Sequence, residues 1–134
     1  MKRIMALDAG DKRIGVAVSD PLGITAQGLK VLENSPQVFA EIAQLCKEYD
    51  VERVVVGLPK NMNNTLGPRA DWSREFASKV ADAVGLPVDM EDERLTTVAA
   101  ERVMLDADLS RGKRRKVVDK MAAVLILQNY LAKR

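Results

Sequence analysis

The succession of hydrophobic periodicities along the chain predicts an α/β fold: one mixed five-stranded sheet, in the order βββαβαβαα, with helices on both faces. Three observations predict it. Short apolar runs crowd before residue 33 with only turn-sized gaps between them. Val54-Val55-Val56 is a β-branched run with no polar alternation, and the segments flanking it carry apolar residues at helical spacing. A length of 134 residues suits a single domain spanning 1–134, large enough for a real core.

Ile4-Met5-Ala6-Leu7 reads as the first strand, closed by the turn-like Asp8-Ala9-Gly10-Asp11-Lys12, and Ile14 to Ser19 reads as the second. Asp20-Pro21-Leu22-Gly23 is a further turn, after which Ile24 to Leu32 gives a more polar third strand, so the three form an antiparallel meander. Ser35 can cap a helix with Pro36 at its first position, and Phe39, Ile42, Ala43, Cys46 and Tyr49 follow one helical face. Val54 to Val56 is the central strand. Lys60 to Arg69 is a long polar loop placed to cover a substrate. Trp72, Phe76, Val80 and Ala83 then mark a second helix, stopped by Gly85-Leu86-Pro87, and Val88 to Glu91 is the fifth strand. Thr96 or Thr97 can cap a helix to about Leu105. Arg111 to Lys116 is expected to break the pattern as a loop before a last helix from Val117 to Leu131.

Composition narrows the chemistry. The chain has no histidine, which excludes Ser-His-Asp triads, Cys-His pairs and histidine-ligated zinc. The single Cys46 excludes an intrachain disulfide framework and fits a reducing compartment. The longest apolar run, Met121 to Leu127, is far short of the roughly 20 residues of a spanning helix, and the N-terminus builds no signal-peptide core. A cytoplasmic protein without membrane association is expected. Charge is segregated: residues 1–93 hold 11 basic and 15 acidic side chains, whereas residues 94–134 hold 10 and 4. A basic stretch beside clustered carboxylates can attract a polyanion and still hold cations where it reacts.

The carboxylates supply a candidate site. Asp8 ends the first strand, Asp92 and Glu93 end the fifth, and Asp119 stands at i−3, i−4 and i−7 from Ala122, Ala123 and Ile126 on an apolar helical face. Ligands in open α/β sheets bind outside the carboxyl ends of the strands, where these acids converge. An Asp closing a strand before Gly is commonly a turn residue, and an Asp early in a helix commonly complements the dipole. Their conjunction is what points to chemistry. Mutual repulsion among them is relieved by a cation, and hard oxygen ligands suit Mg²⁺ or Mn²⁺. Two carboxylate-held cations serve in-line attack of water on a phosphodiester, and no histidine is needed. Lys12, Arg13 and Arg94, with the run Arg111, Lys113, Arg114, Arg115 and Lys116, are the candidate phosphate contacts.

Leu7-Asp8-Ala9-Gly10 with Lys12 to Asp20, Val56-Gly57-Leu58-Pro59 with Asn61-Met62 and Gly67-Pro68-Arg69-Ala70, Asp92 to Thr97, and Asp119-Lys120-Met121-Ala122-Ala123 with Ile126-Leu127-Gln128 together resemble the bacterial YqgF family. Its members are RNase-H-like proteins regarded as candidate pre-16S rRNA nucleases and also described as Holliday-junction-resolvase-like. The resemblance covers essentially the whole chain. It implies an RNase H-like fold, an acidic metal centre at Asp8, Glu93 (or Asp92) and Asp119, and action on structured nucleic acid. Pre-rRNA is the implied substrate and ribosomal precursor particles are implied partners. Asp11 departs from the family pattern, where a small hydroxyl residue is usual, and adds negative charge beside Asp8.

Three alternatives remain open at this level. A resolvase acting on branched DNA would need two active sites and hence a two-fold homodimer, whereas RNA end-trimming can be done by a monomer. A non-catalytic nucleic-acid-binding module in ribosome assembly or transcription would keep the basic surface without the chemistry. An actin-like ATPase shares Asp8-Ala9-Gly10 after a first strand, but it places nucleotide between two domains, and Gly10 to Ala17 does not make a P-loop.

Overall fold

The computed structural model describes residues 2–58, 68–92 and 111–133; at positions 58, 68–70, 92 and 111–119 only the backbone is described. The elements are β1 (Arg3–Ala9), β2 (Arg13–Ser19), β3 (Ala26–Glu33), α1 (Val38–Glu48), β4 (Val51–Leu58), α2 (Pro68–Val84), β5 (Val88–Asp92) and α3 (Arg111–Ala132). They build one five-stranded sheet in the order β3-β2-β1-β4-β5. The pairs β1/β2 and β2/β3 are antiparallel, and β1/β4 and β4/β5 are parallel. The meander and the mixed sheet expected from the sequence are both present. The expected helix from Thr96 or Thr97 to Leu105 and most of the loop from Lys60 to Arg69 lie outside the described residues.

Strand alternation sorts side chains between two unequal cores. On one face Met5, Leu7, Ile14, Val16, Val18, Val54 and Val56 pack with Val38, Ile42 and Leu45 of α1 and with Phe76, Ala77 and Val80 of α2. On the other, Ile4, Ala6, Ala17 and Val55 pack with Ala123, Ile126 and Leu127 of α3. Val54, Val55 and Val56 have no exposed surface, as expected of a strand covered on both sides, although the middle of the five is β1 and β4 lies next to it.

The α3 face is lined by small residues, and this sets how close the helix lies. A Cβ added to Gly28 would come within 2.6 Å of Lys120 Cγ and 3.5 Å of Val124 Cγ2. The far end of α3 is tied to β5 by polar contacts. Tyr130 Oη donates to Asp89 Oδ2 at 2.6 Å, Arg53 Nη1 donates to the same oxygen at 2.8 Å, and Lys133 pairs with the buried Glu91. The Tyr130 hydroxyl and the Arg53 guanidinium hold the Asp89 carboxyl below its ordinary value.

Two boundaries differ from expectation. Helix α1 begins at Val38, not at Ser35-Pro36; Ser35 and Pro36 form a turn in which Val38 N–H donates to Ser35 O, and no side chain caps the helix. The last helix begins at Arg111, not at Val117, so the basic run is its first turns and not a loop. One glycine in a helix costs only about 1 kcal/mol, and the surrounding Arg and Lys are good helix formers. Gly112 therefore does not break it.

Two predictions follow from this packing. A Cβ at Gly10 would meet the backbone Arg13 O at 2.8 Å inside the β1/β2 turn, where nothing can swing aside. Gly10→Ala is expected to cost about 1–3 kcal/mol in urea unfolding. Asp89→Asn is expected to cost about 1 kcal/mol or less at pH 7, since the pair is substantially exposed. Because the folded-state value of Asp89 is depressed, its contribution is complete above the ordinary carboxylate value of 3.8 and is lost as pH falls through the depressed one. The stability gap between the two proteins, followed by thermal melts, should close below pH 3.8.

Candidate active site

Asp8 is the penultimate residue of β1, at the carboxyl end of the strand, and is half-buried. It continues the alternation of Ile4 and Ala6, which places it on the α3 face of the sheet. Its cross-strand partner is Gly15.

Helix α3 packs across β1, β2 and β3. Its buried stripe of Ala122, Ala123, Ile126 and Leu127 rests on that same face, and position 119 precedes the stripe by one helical turn. The fold therefore sets Asp8 and the backbone position of Asp119 on one face, from opposite ends of the chain; the Asp119 side chain lies outside the described residues. In β5, Val88 and Met90 pack toward α1 and α2, whereas Asp89 and Glu91 meet residues of α3. Asp92 is the last residue of β5 and pairs through its backbone with Leu58, which brings the strand end to the carboxyl edge of β4. Glu93 and Arg94 lie outside the described residues. Among the described residues no group of three or more metal-capable side chains is gathered.

Beside Asp8 the β1/β2 turn is held rigidly. Gly10 N–H donates to Arg13 O at 2.9 Å, Asn34 Nδ2 donates to Gly10 O at 2.9 Å, and Asn34 N–H donates to Lys12 O at 2.9 Å. This turn forms one wall of a cleft of about 790 Å³ whose charged lining is Asp11, Lys12, Arg13, Glu33 and Lys120. Lys12 and Arg13, singled out from the sequence, are thus brought together with a third cation, Lys120. Lys120 and Asn34 were not anticipated. Lys120 follows Asp119 directly and carried that much signal. Asn34 stands between a strand and a helix, where its hydrogen bonds back to residues 10 and 12 leave no local trace.

Arg111, Lys113, Arg114, Arg115 and Lys116 occupy the first turns of α3. A helix N-terminus carries the positive end of the macrodipole, and this one has no acidic residue in its first turn. Each cation there is unfavourable, and a bound anion would relieve them together. Cys46, buried between α1 and the sheet with its thiol pushed up to about 11 by burial, is not a nucleophile of this site.

Comparison with known proteins identifies the family. A family model described as "RuvX: Holliday junction resolvase" matches residues 2–133. A protein of Streptococcus sanguinis described as a candidate pre-16S rRNA nuclease is 57% identical over 134 residues, covering 96% of each chain. One of Streptococcus agalactiae with the same description is 58% identical over the same span. Among solved structures, Thermus thermophilus RuvC in complex with a Holliday junction substrate is similar with a TM-score of 0.57 at 16% identity, over 99% of this chain and 96% of that one. The fowlpox virus Holliday junction resolvase is similar with a TM-score of 0.57 at 14% identity, over 98% of each. At those identities the structural likeness speaks for the RNase H-like fold alone, and the family rests on the near-complete sequence matches. The chain belongs to the RuvX family, the YqgF family that its motifs resemble.

Proposed function

We propose that this protein is a metal-dependent nuclease that hydrolyses phosphodiester bonds in structured RNA and matures the 5′ end of pre-16S rRNA in the cytoplasm, acting on ribosomal precursor particles. The observation that carries the reading is the placement of Asp8 and the Asp119-bearing helix on one sheet face, with the Lys12, Arg13 and Lys120 cleft alongside. The names of the 57–58% identical relatives support the substrate.

The donor set fits a hard divalent cation: Asp8 offers a half-buried carboxylate, and the candidate partners are all carboxylates. Asp8, Asp119 and Glu93 would hold Mg²⁺ or Mn²⁺. Asp92 is the alternate to Glu93. Bound there, the ions supply activation of the attacking water and stabilisation of the leaving oxygen. The chain's own groups position the substrate. Lys12, Arg13 and Lys120 hold phosphates in the cleft, Asn34 fixes the turn that presents two of them, and the cations at the start of α3, with Arg94, extend the electrostatic track. A resolvase acting on branched DNA as a homodimer is the second reading, favoured by the family description and by the shared fold with RuvC.

Asp8→Asn and Asp119→Asn are expected to lower cleavage of a pre-rRNA leader fragment by about a hundredfold or more in Mg²⁺ or Mn²⁺, as is chelation of the metal with EDTA. Cleavage of a four-way DNA junction in place of the leader would support the second reading. Tight binding without mutation-sensitive cleavage of either would mark a non-catalytic module. Arg111→Glu with Lys113→Glu should raise the melting temperature, because it removes cations from the first turn of α3, at the positive end of its dipole. The same pair should weaken RNA binding and lower the slope of log K against log salt by about 0.7 per lost phosphate contact on a single strand. Stability rising while affinity falls is the signature of residues retained for binding.

A further inference from the structure

A second, smaller cavity adjoins the cationic cleft, and Asn34 lines both. It measures about 170 Å³ and is bounded by Asn34, Phe39, Trp72, Glu75, Phe76 and Lys79. Pockets for drug-sized ligands run to roughly 300–1,000 Å³, so a single ring system is the scale of what fits. The aromatic wall is ordered: Trp72 stacks on Phe76 with centroids 5.6 Å apart and planes at 11°, and Phe39 tilts against Phe76 at 5.4 Å. Phe76 is buried in the core and anchors the group, whereas Trp72 and Phe39 are only partly buried. Around the rings stand an amide, a carboxylate and an ammonium, from Asn34, Glu75 and Lys79. Glu75 and Lys79 are exposed and Asn34 is partly buried, so polar atoms rim the open side of the rings. A heteroaromatic ring with polar edges matches both halves of the lining.

We infer that this cavity is a subsite for one unpaired nucleobase of a strand whose phosphates lie along Lys12, Arg13 and Lys120. The inference rests on the nucleic-acid reading above and refines its substrate class: the bound strand is single-stranded, or carries a splayed-out base, next to the cleavage centre. Continuous duplex cannot use the pocket, because its bases are hidden in the stack. The base lies on the α1/α2 side of the sheet edge and Asp8 on the α3 side, so the strand crosses the edge between them.

Trp72 is the only tryptophan of the chain, so its emission reports on the pocket directly. The full-length Asp8→Asn protein, used to prevent cleavage, is titrated at low salt with a short single-stranded oligoribonucleotide, with the same sequence as a duplex, and with inorganic polyphosphate. The single strand should quench Trp72. Polyphosphate should displace a labelled oligoribonucleotide without quenching, and the duplex should bind without quenching. Trp72→Leu should weaken single-strand binding about five- to hundredfold by anisotropy and leave polyphosphate binding unchanged. Lys79→Ala, which leaves the aromatic packing intact, should weaken it severalfold and keeps the test open if Trp72→Leu does not fold. Single-strand binding with unchanged Trp72 emission and full affinity in Lys79→Ala would overturn the inference and leave the nuclease reading standing, as would equal quenching by duplex. Failure of any oligoribonucleotide to bind would overturn both.

Discussion

The close approach of α3 to the central strands is the constraint on which the rest of the molecule depends. It is possible because the residues it crosses are small: Ala6, Ala17 and Gly28 on the sheet, Ala122 and Ala123 on the helix. The other face is filled by Met5, Leu7, Ile14 and the aromatic and branched residues of α1 and α2. Had the small residues been bulky, α3 would stand further off, and position 119 would be carried away from Asp8. Tyr130, and Lys133 directly after the helix, fasten its opposite end to Asp89 and Glu91 of β5.

Electrostatics and stability pull against each other in this arrangement. Asp8 near the end of β1 and Asp92 at the end of β5, on strands separated by β4, carry like charge, and five cations stand in the first turns of α3, toward the positive end of its own dipole. On the proposed function both are relieved by ligands of opposite charge, a divalent cation in one case and a phosphate backbone in the other. The rigid turn between β1 and β2, tied by Asn34, keeps Lys12 and Arg13 beside the acids without relying on either ligand.

Much of the fold was legible because its signals are local. The crowding of β1 to β3, the Val54-Val55-Val56 run of β4 and the spacing of Phe76 and Val80 each read directly as the element they form. Helix limits were less legible, since they depend on what the helix packs against. The buried face of α1 includes Val38 and Leu45, and Tyr49 is only partly buried; in α2, Ser73 and Ala77 are buried and Ala83 is exposed. A glycine among arginines and lysines reads as a break, yet α3 runs through it because the tertiary contacts of the following turns outweigh about 1 kcal/mol of propensity.

The sequence by itself narrowed the chemistry open to this protein: with no histidine and a single cysteine, imidazole-based mechanisms and disulfide frameworks are excluded, and strand end and helix phase mark Asp8 and Asp119 as candidates. It also determined the mixed sheet, because periods of two and 3.6 residues alternate visibly along it. Only the tertiary structure decided which residues meet. That Lys120 joins Lys12 and Arg13, that Asn34 locks their turn, and that Trp72 and Phe39 share a cavity beside them are consequences of contacts between segments far apart in the chain. Such contacts follow from how closely α3 and the α1/α2 pair settle on the sheet. That distance is set by the summed volumes of side chains on both surfaces and is encoded in no single stretch of sequence.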